Sequence, residues 1–213
     1  MKILDNKVVE FVGLAGVGKS HVRRALLQTS EDVMDGQVSN LKLIGVLLKP
    51  RSLQILYATI QFVLQMKPTS VRLFFGCLKR WFKYQILIDM AKKHRRPVLL
   101  DEGAFQKLRY IKQSSRKSDI TLKEVNKKIL MKQKWPDFVI LVEANPHTVQ
   151  QRILIRDNKM IDIAIIKEKL LKQREVHLEV NFLNESNVIK IECANIYNEG
   201  IVNYQKCIEK IIR

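Results

Sequence analysis

Gly13-Leu-Ala-Gly-Val-Gly-Lys-Ser20 fits the spacing G-x-x-x-x-G-K-[ST], matching at Gly13, Gly18, Lys19 and Ser20. Glycines in such a loop allow successive backbone N–H groups to turn inward around an anion. Lys19 is of the type that reaches β- and γ-phosphates as a point charge. Ser20 offers a hydroxyl oxygen to Mg²⁺. A helix opening at this point adds the positive end of its dipole. The expected nucleotide-binding residues are Gly13, Ala15, Gly16, Val17, Gly18, Lys19, Ser20 and His21, with nucleotide phosphates and Mg²⁺ as the bound species.

Two further groups have types suited to phosphate chemistry. Leu99-Leu-Asp-Glu-Gly103 places Asp101 at the end of a short apolar run, where an acid beside a phosphate loop holds Mg²⁺ directly or through water. Glu102, one residue on, is either a base for a substrate hydroxyl or a cap on the following helix. In Gln151-Arg-Ile-Leu-Ile-Arg-Asp157, Arg152 and Arg156 are four apart and share a helix face. Two guanidiniums there can clamp a transferring phosphoryl group, or can simply complement the negative end of a helix dipole.

These groups need a frame. Val8, Val9, Phe11 and Val12 read as a buried strand entering the loop, and His21 onward as the helix leaving it. A second strand is expected over Leu41–Leu48. Amphipathic helices are expected over Ser52–Met66 and Ser70–Lys93, and a short strand over Pro97–Asp101. Helices over Ala104–Lys117 and Thr121–Lys134 precede a strand over Phe138–Val142. Pro146 opens a helix through Arg156. A helix over Ile161–Phe182, a strand over Val188–Cys193 and a closing helix over Tyr197–Ile212 complete the order. Short apolar strands alternating with helices imply a parallel sheet covered on both faces, with ligands gathered outside the carboxyl ends of its strands. No repeat or linker divides the 213 residues, so one domain over 1–213 is the economical reading.

The net charge of +17 is concentrated: residues 77–134 hold 17 Lys/Arg against 5 Asp/Glu. Such a stripe suits nucleic acid or an anionic membrane surface, or is a solvated basic face. Nucleic acid is not favoured, because Lys dominates and aromatic interleaving stops at Trp81, Phe82 and Tyr84. Cys77, Cys193 and Cys207 lack metal-ligand spacing and read as reduced thiols of a cytoplasmic protein. The apolar stretch Ser52–Met66 carries Gln54, Gln61 and Gln65 and is too short to span a bilayer. Its flanking Lys49, Arg51 and Lys67 leave a peripheral membrane contact open.

In order along the chain, Gly13–Ser20, the strand ending in LLDEG and the segment PDFVILVEANPHTVQQRILIRD resemble the thymidylate kinase-like branch of the P-loop nucleotide and nucleoside kinases. The resemblance covers most of the chain. It implies a three-layer P-loop NTPase fold with a five-stranded parallel sheet in the order 2-3-1-4-5, helices on both faces, and a small lid over about residues 152–160. It also implies transfer of the ATP γ-phosphate to a small acceptor, either a nucleoside monophosphate or another hydroxyl or phosphate acceptor such as a sugar. By position, Asn195 would lie near the adenine. The family usually has Arg directly after the strand-end acid, where this chain has Glu102.

Two other classes remain. A regulatory GTPase or ATPase would want Asn-Lys-x-Asp and Asp-x-x-Gly. Asn158-Lys-Met-Ile-Asp162 is one residue too long for the first, and Asp101-Glu-Gly103 one too short for the second. A polynucleotide 5′-end kinase is suggested by the basic stripe, and its substrate binding would weaken steeply with salt.

Overall fold

A computed structural model describes residues 7–29, 34–36, 50–94, 96–100, 103–116, 122–181 and 187–192. Its centre is β1 (Val8–Val12), whose β-branched and aromatic residues are all buried and lead directly into the glycine loop. β1 pairs in parallel with β3 (Val98–Leu100) on one side and β4 (Phe138–Glu143) on the other. The two-residue β2 (Met34–Asp35) and β5 (Asn187–Glu192) form the edges, so the sheet runs β2-β3-β1-β4-β5, every pair parallel. The second strand expected over 41–48 lies outside the described residues; the strand beside β3 is Met34–Asp35 instead. The closing helix expected over 197–212 lies outside them too.

Period-two alternation sorts the side chains of β1, β3 and β4 onto two faces. Val8, Val12, Val98, Leu100, Val139 and Leu141 pack against Trp81, Tyr84, Phe105 and Leu108 of two helices, α3 (Val71–Ala91) and α4 (Ala104–Gln113). Val9, Phe11, Leu99, Ile140 and Val142 face Val22 of α1 (Lys19–Thr29), Val149 and Ile153 of α6 (Pro146–Asp157) and Ile166 of α7 (Ile163–Asn181). Helices therefore cover both faces, as a parallel sheet requires.

On the α3 side, α2 (Pro50–Gln65) packs along α3 around Trp81. The Trp81 ring stacks on Phe62 at 4.7 Å and meets the edge of Trp135 at 5.6 Å. Its indole N–H donates to Gln133 Oε1 at 2.9 Å, and Gln133 Nε2 donates to the Ala58 carbonyl at 3.0 Å. Gln133→Ala removes both partners from buried groups and should lower stability by about 2 kcal/mol or more. Urea denaturation reads this directly; an unchanged midpoint would mean that other groups take over both bonds.

Two helices differ from expectation. The segment after residue 121 is a 3-10 turn (Leu122–Glu124) and a separate short helix, α5 (Lys127–Met131), because the Asn126 side chain accepts from Lys128 N at 2.9 Å and starts the helix afresh. α4 stops at Gln113 rather than Lys117, where the Ser114 and Ser115 hydroxyls donate back to the Tyr110 and Ile111 carbonyls and Arg116 N turns to the Lys67 carbonyl.

Part of the basic stripe serves this framework. Buried Asp89 pairs with Arg51 and Lys93, each at 2.8 Å, and with Lys134. Burial, helped by nearby Arg51, pulls the Lys134 ammonium down to about 8.

Candidate active site

The loop between β1 and α1 lies at the carboxyl end of β1 and lines a cavity there. Gly16 and Gly18 have φ of +89° and +104°, a region that residues with a Cβ seldom enter. Gly13 is required for a different reason: a Cβ there would lie 2.6 Å from the Val142 carbonyl, so β4 fixes how the chain leaves β1. The His21 and Val22 amides donate to the Gly18 carbonyl and start α1 at the loop. Lys19 Nζ folds back over the loop, donating to the Gly13 and Leu14 carbonyls at 2.7 and 2.9 Å. Ser20 and His21 are exposed at the rim.

Arg152 approaches from α6. Asn145 caps this helix by accepting from His147 N at 3.0 Å, and Pro146 occupies its first turn. Six residues on, Arg152 donates to the Val17 and Gly16 carbonyls at 3.1 and 3.3 Å, which ties α6 to the glycine loop. Arg156, one turn further, is exposed and forks onto Asp157 through two 2.7 Å bonds. That carboxylate holds the Arg156 guanidinium above its ordinary pKa and is itself held low. The segment expected as a lid is divided: residues 152–157 are the last turns of α6, and Asn158, left-handed with φ of +49°, closes the helix before α7 begins at Ile163.

Loop, α6 and α4 enclose one cavity of about 840 Å³. It is lined by Gly13, Ala15, Gly16, Gly18, Lys19, Ser20 and His21 of the loop and the start of α1, by Arg152 and Arg156 of α6, by Lys169 of α7, and by Phe105, Gln106 and Arg109 of α4. Among the expected loop residues Val17 is absent from the lining; its side chain is buried in the α6-side core. The arrangement offers backbone amides, the ammoniums of Lys19 and Lys169 and the guanidiniums of Arg24, Arg109, Arg152 and Arg156 to a polyanion, in a volume typical of small-molecule sites. Asp101, Glu102 and Asn195 lie outside the described residues.

Glu10 was not among the residues singled out from sequence. It lies mid-strand in β1, 1% exposed, on the cavity's inner boundary. Its Oε2 accepts from Ala104 N at 2.8 Å and its Oε1 from Phe105 N at 3.0 Å, the first amides of α4. Burial pushes its pKa up to about 8, opposed by these two amides and by nearby Lys107. The available signal was an acid inside the otherwise apolar run Val8-Val-Glu-Phe-Val12.

Among the described residues no group of three or more His, Cys, Asp or Glu side chains converges as a metal cage. The exposed Ser20 hydroxyl at the loop rim is the type of oxygen ligand that Mg²⁺ on a bound triphosphate would take.

No protein-family model matches the sequence, and no curated protein sequence matches it. Solved structures do match in fold. A deoxyadenosine kinase from M. mycoides with bound dATP is 14% identical with a TM-score of 0.54, covering 97% of this chain and 100% of that one. A second structure of that enzyme, with dCMP and dCDP, is 15% identical with a TM-score of 0.51 over 96% of both chains. A thymidylate kinase from Ehrlichia chaffeensis is 14% identical over 97% of this chain and 98% of that one, with a TM-score of 0.48. At such identity the deoxyadenosine kinase likeness establishes a common α/β fold over nearly the whole chain. No helix among the described residues is long and apolar enough to cross a membrane.

Proposed function

We propose that this chain, which has the α/β fold of a deoxynucleoside kinase, is an ATP- and Mg²⁺-dependent phosphotransferase that moves the γ-phosphate to a nucleoside or nucleoside monophosphate. The observation that carries the reading is a cavity on which the glycine loop, Lys19, Arg152, Arg156 and the α4 residues Gln106 and Arg109 converge. It combines a phosphate cradle with a second set of polar lining residues from α4, as transfer between two bound molecules requires.

In this reading the triphosphate lies along the loop amides between Gly13 and Ser20. Lys19 exchanges its loop carbonyls for the β- and γ-phosphates. An acceptor oxygen from the α4 side attacks the γ-phosphorus as the bridging bond to the β-phosphate breaks, and ADP leaves with that bond's electrons. Lys19, Arg152 and Arg156 face the charge that spreads over the transferring oxygens. Ser20 and Asp101 would hold Mg²⁺, which when bound neutralises β- and γ-oxygen charge. The acceptor proton passes to Glu102 or to solvent; Glu102 as a helix cap is the competing role.

Asp101→Asn is expected to reduce Mg²⁺-dependent turnover far more than nucleotide affinity, since metal neutralisation acts mainly in the transition state. An unchanged Mg²⁺ titration would assign the metal elsewhere. The function itself is tested with Mg-ATP and a panel of nucleosides, nucleoside monophosphates, sugars and short oligonucleotides. A polynucleotide end kinase would appear as oligonucleotide labelling that weakens steeply with salt.

A further inference from the structure

We infer that Glu10 is the positioning residue of the acceptor half of the cavity, an inference that rests on the phosphotransfer reading above. The loop is matched to a triphosphate by its glycines and Lys19, which leaves the α4 lining of Phe105, Gln106 and Arg109 for the acceptor. What fixes that lining is the first turn of α4, and its first two amides end on the Glu10 carboxylate at 2.8 and 3.0 Å. Both carboxylate oxygens are engaged by backbone, and the group is 1% exposed, so it orients α4 rather than attacking a substrate. The fit is close on the helix side as well. A Cβ on Gly103 would collide with the Glu10 carboxylate, so a glycine precedes the helix to let the acid reach its amides. Gly103 has φ of −109°, which any residue can adopt, so contact with Glu10 is what selects glycine there.

Glu10 and the glycine loop are consecutive in one chain: Val12 ends the strand and Gly13 opens the loop. One strand thus anchors the donor cradle at its end and the acceptor wall from its middle. β1 therefore links the positions of the two half-sites.

The test compares wild type with Glu10→Gln, Glu10→Ala and Gly103→Ala in the full chain. Deoxyadenosine is the first acceptor probe, followed by whichever nucleoside or nucleoside monophosphate the panel identifies. Gln keeps one acceptor oxygen but presents an NH2 to the other amide, so its effect should fall between wild type and Ala. KM for the acceptor should rise about tenfold in Glu10→Gln and more in Glu10→Ala, while KM for ATP stays within about twofold, because the loop keeps its own contacts. Gly103→Ala should act in the same direction, and adding Glu10→Ala should make its cost less than additive, since the methyl then has room. Amide hydrogen exchange at Ala104 and Phe105 should accelerate in the Glu10 variants without nucleotide or acceptor present. Unchanged exchange at those two amides, or an equal rise in both KM values, would overturn the assignment. A wild-type chain inactive on every acceptor but showing the expected exchange would instead overturn the kinase reading; the acceptor role of Glu10 would fall with it, leaving a structural latch.

Discussion

Lys19→Ala is expected to lower phosphoryl transfer by at least about a hundredfold to a thousandfold, the range for losing one preorganised charge donor to a transition state. The fold should survive. Lys19 is only partly buried, and its Nζ donates to the Gly13 and Leu14 carbonyls at the cavity wall, so truncation leaves no core void. The thermal midpoint should stay within a few degrees of wild type while kcat collapses, a separation visible by running melting and steady-state assays on one preparation. Residual activity within a few-fold of wild type would remove Lys19 from the chemistry.

Arg152 and Arg156 should fail in different ways. Arg152 donates to the Gly16 and Val17 carbonyls, so Arg152→Ala both removes a cation from the cavity and loosens the loop. Its kcat should fall about a hundredfold, and its KM for ATP should rise as well, since the cradle is no longer preorganised. Arg152→Lys should rescue poorly, because a point charge cannot reproduce a planar fork on two acceptors. Arg156 touches Asp157 rather than the loop and lies at the cavity rim. Arg156→Ala should likewise lower kcat by about a hundredfold but leave KM for ATP near wild type, provided the guanidinium turns to the triphosphate on closure. If it only decorates the end of α6, its loss should cost no more than about 1 kcal/mol of stability and leave turnover alone. Equal kcat values for Arg156→Ala and wild type would return it to the solvated surface.

The features readable in the sequence were those set by local periodicity and by residue types with a single use. The glycine loop required a strand before and a helix after, and Val8–Val12 and Lys19–Thr29 supply them. The apolar runs within Pro97–Asp101 and Phe138–Val142 read as buried strands because parallel strands lose alternation when both faces are covered, and the strands found are Val98–Leu100 and Phe138–Glu143. Pro146 marked the start of α6 because its fixed φ and missing N–H suit a first turn.

Features that depend on distant partners were not readable. A two-residue strand such as Met34–Asp35 has no period to detect, and it exists because β3 offers an edge. The break at Val125–Asn126 interrupts a charged segment whose composition favours helix throughout; a single capping side chain decides it. Glu10 bonds amides 94 and 95 residues away, so its purpose is invisible to any window along the chain. Arg152 was identified as a cation near phosphate, but its bonds to loop carbonyls 135 and 136 residues distant had no local signal.

The measurement that bears most directly on the central claim is transfer of label from γ-labelled ATP with Mg²⁺ to nucleosides and nucleoside monophosphates, comparing wild type with Lys19→Ala. The account predicts a labelled nucleotide product that appears with wild type, requires Mg²⁺ and disappears with Lys19→Ala. Label released only as free phosphate, or transferred equally by both proteins, would contradict it.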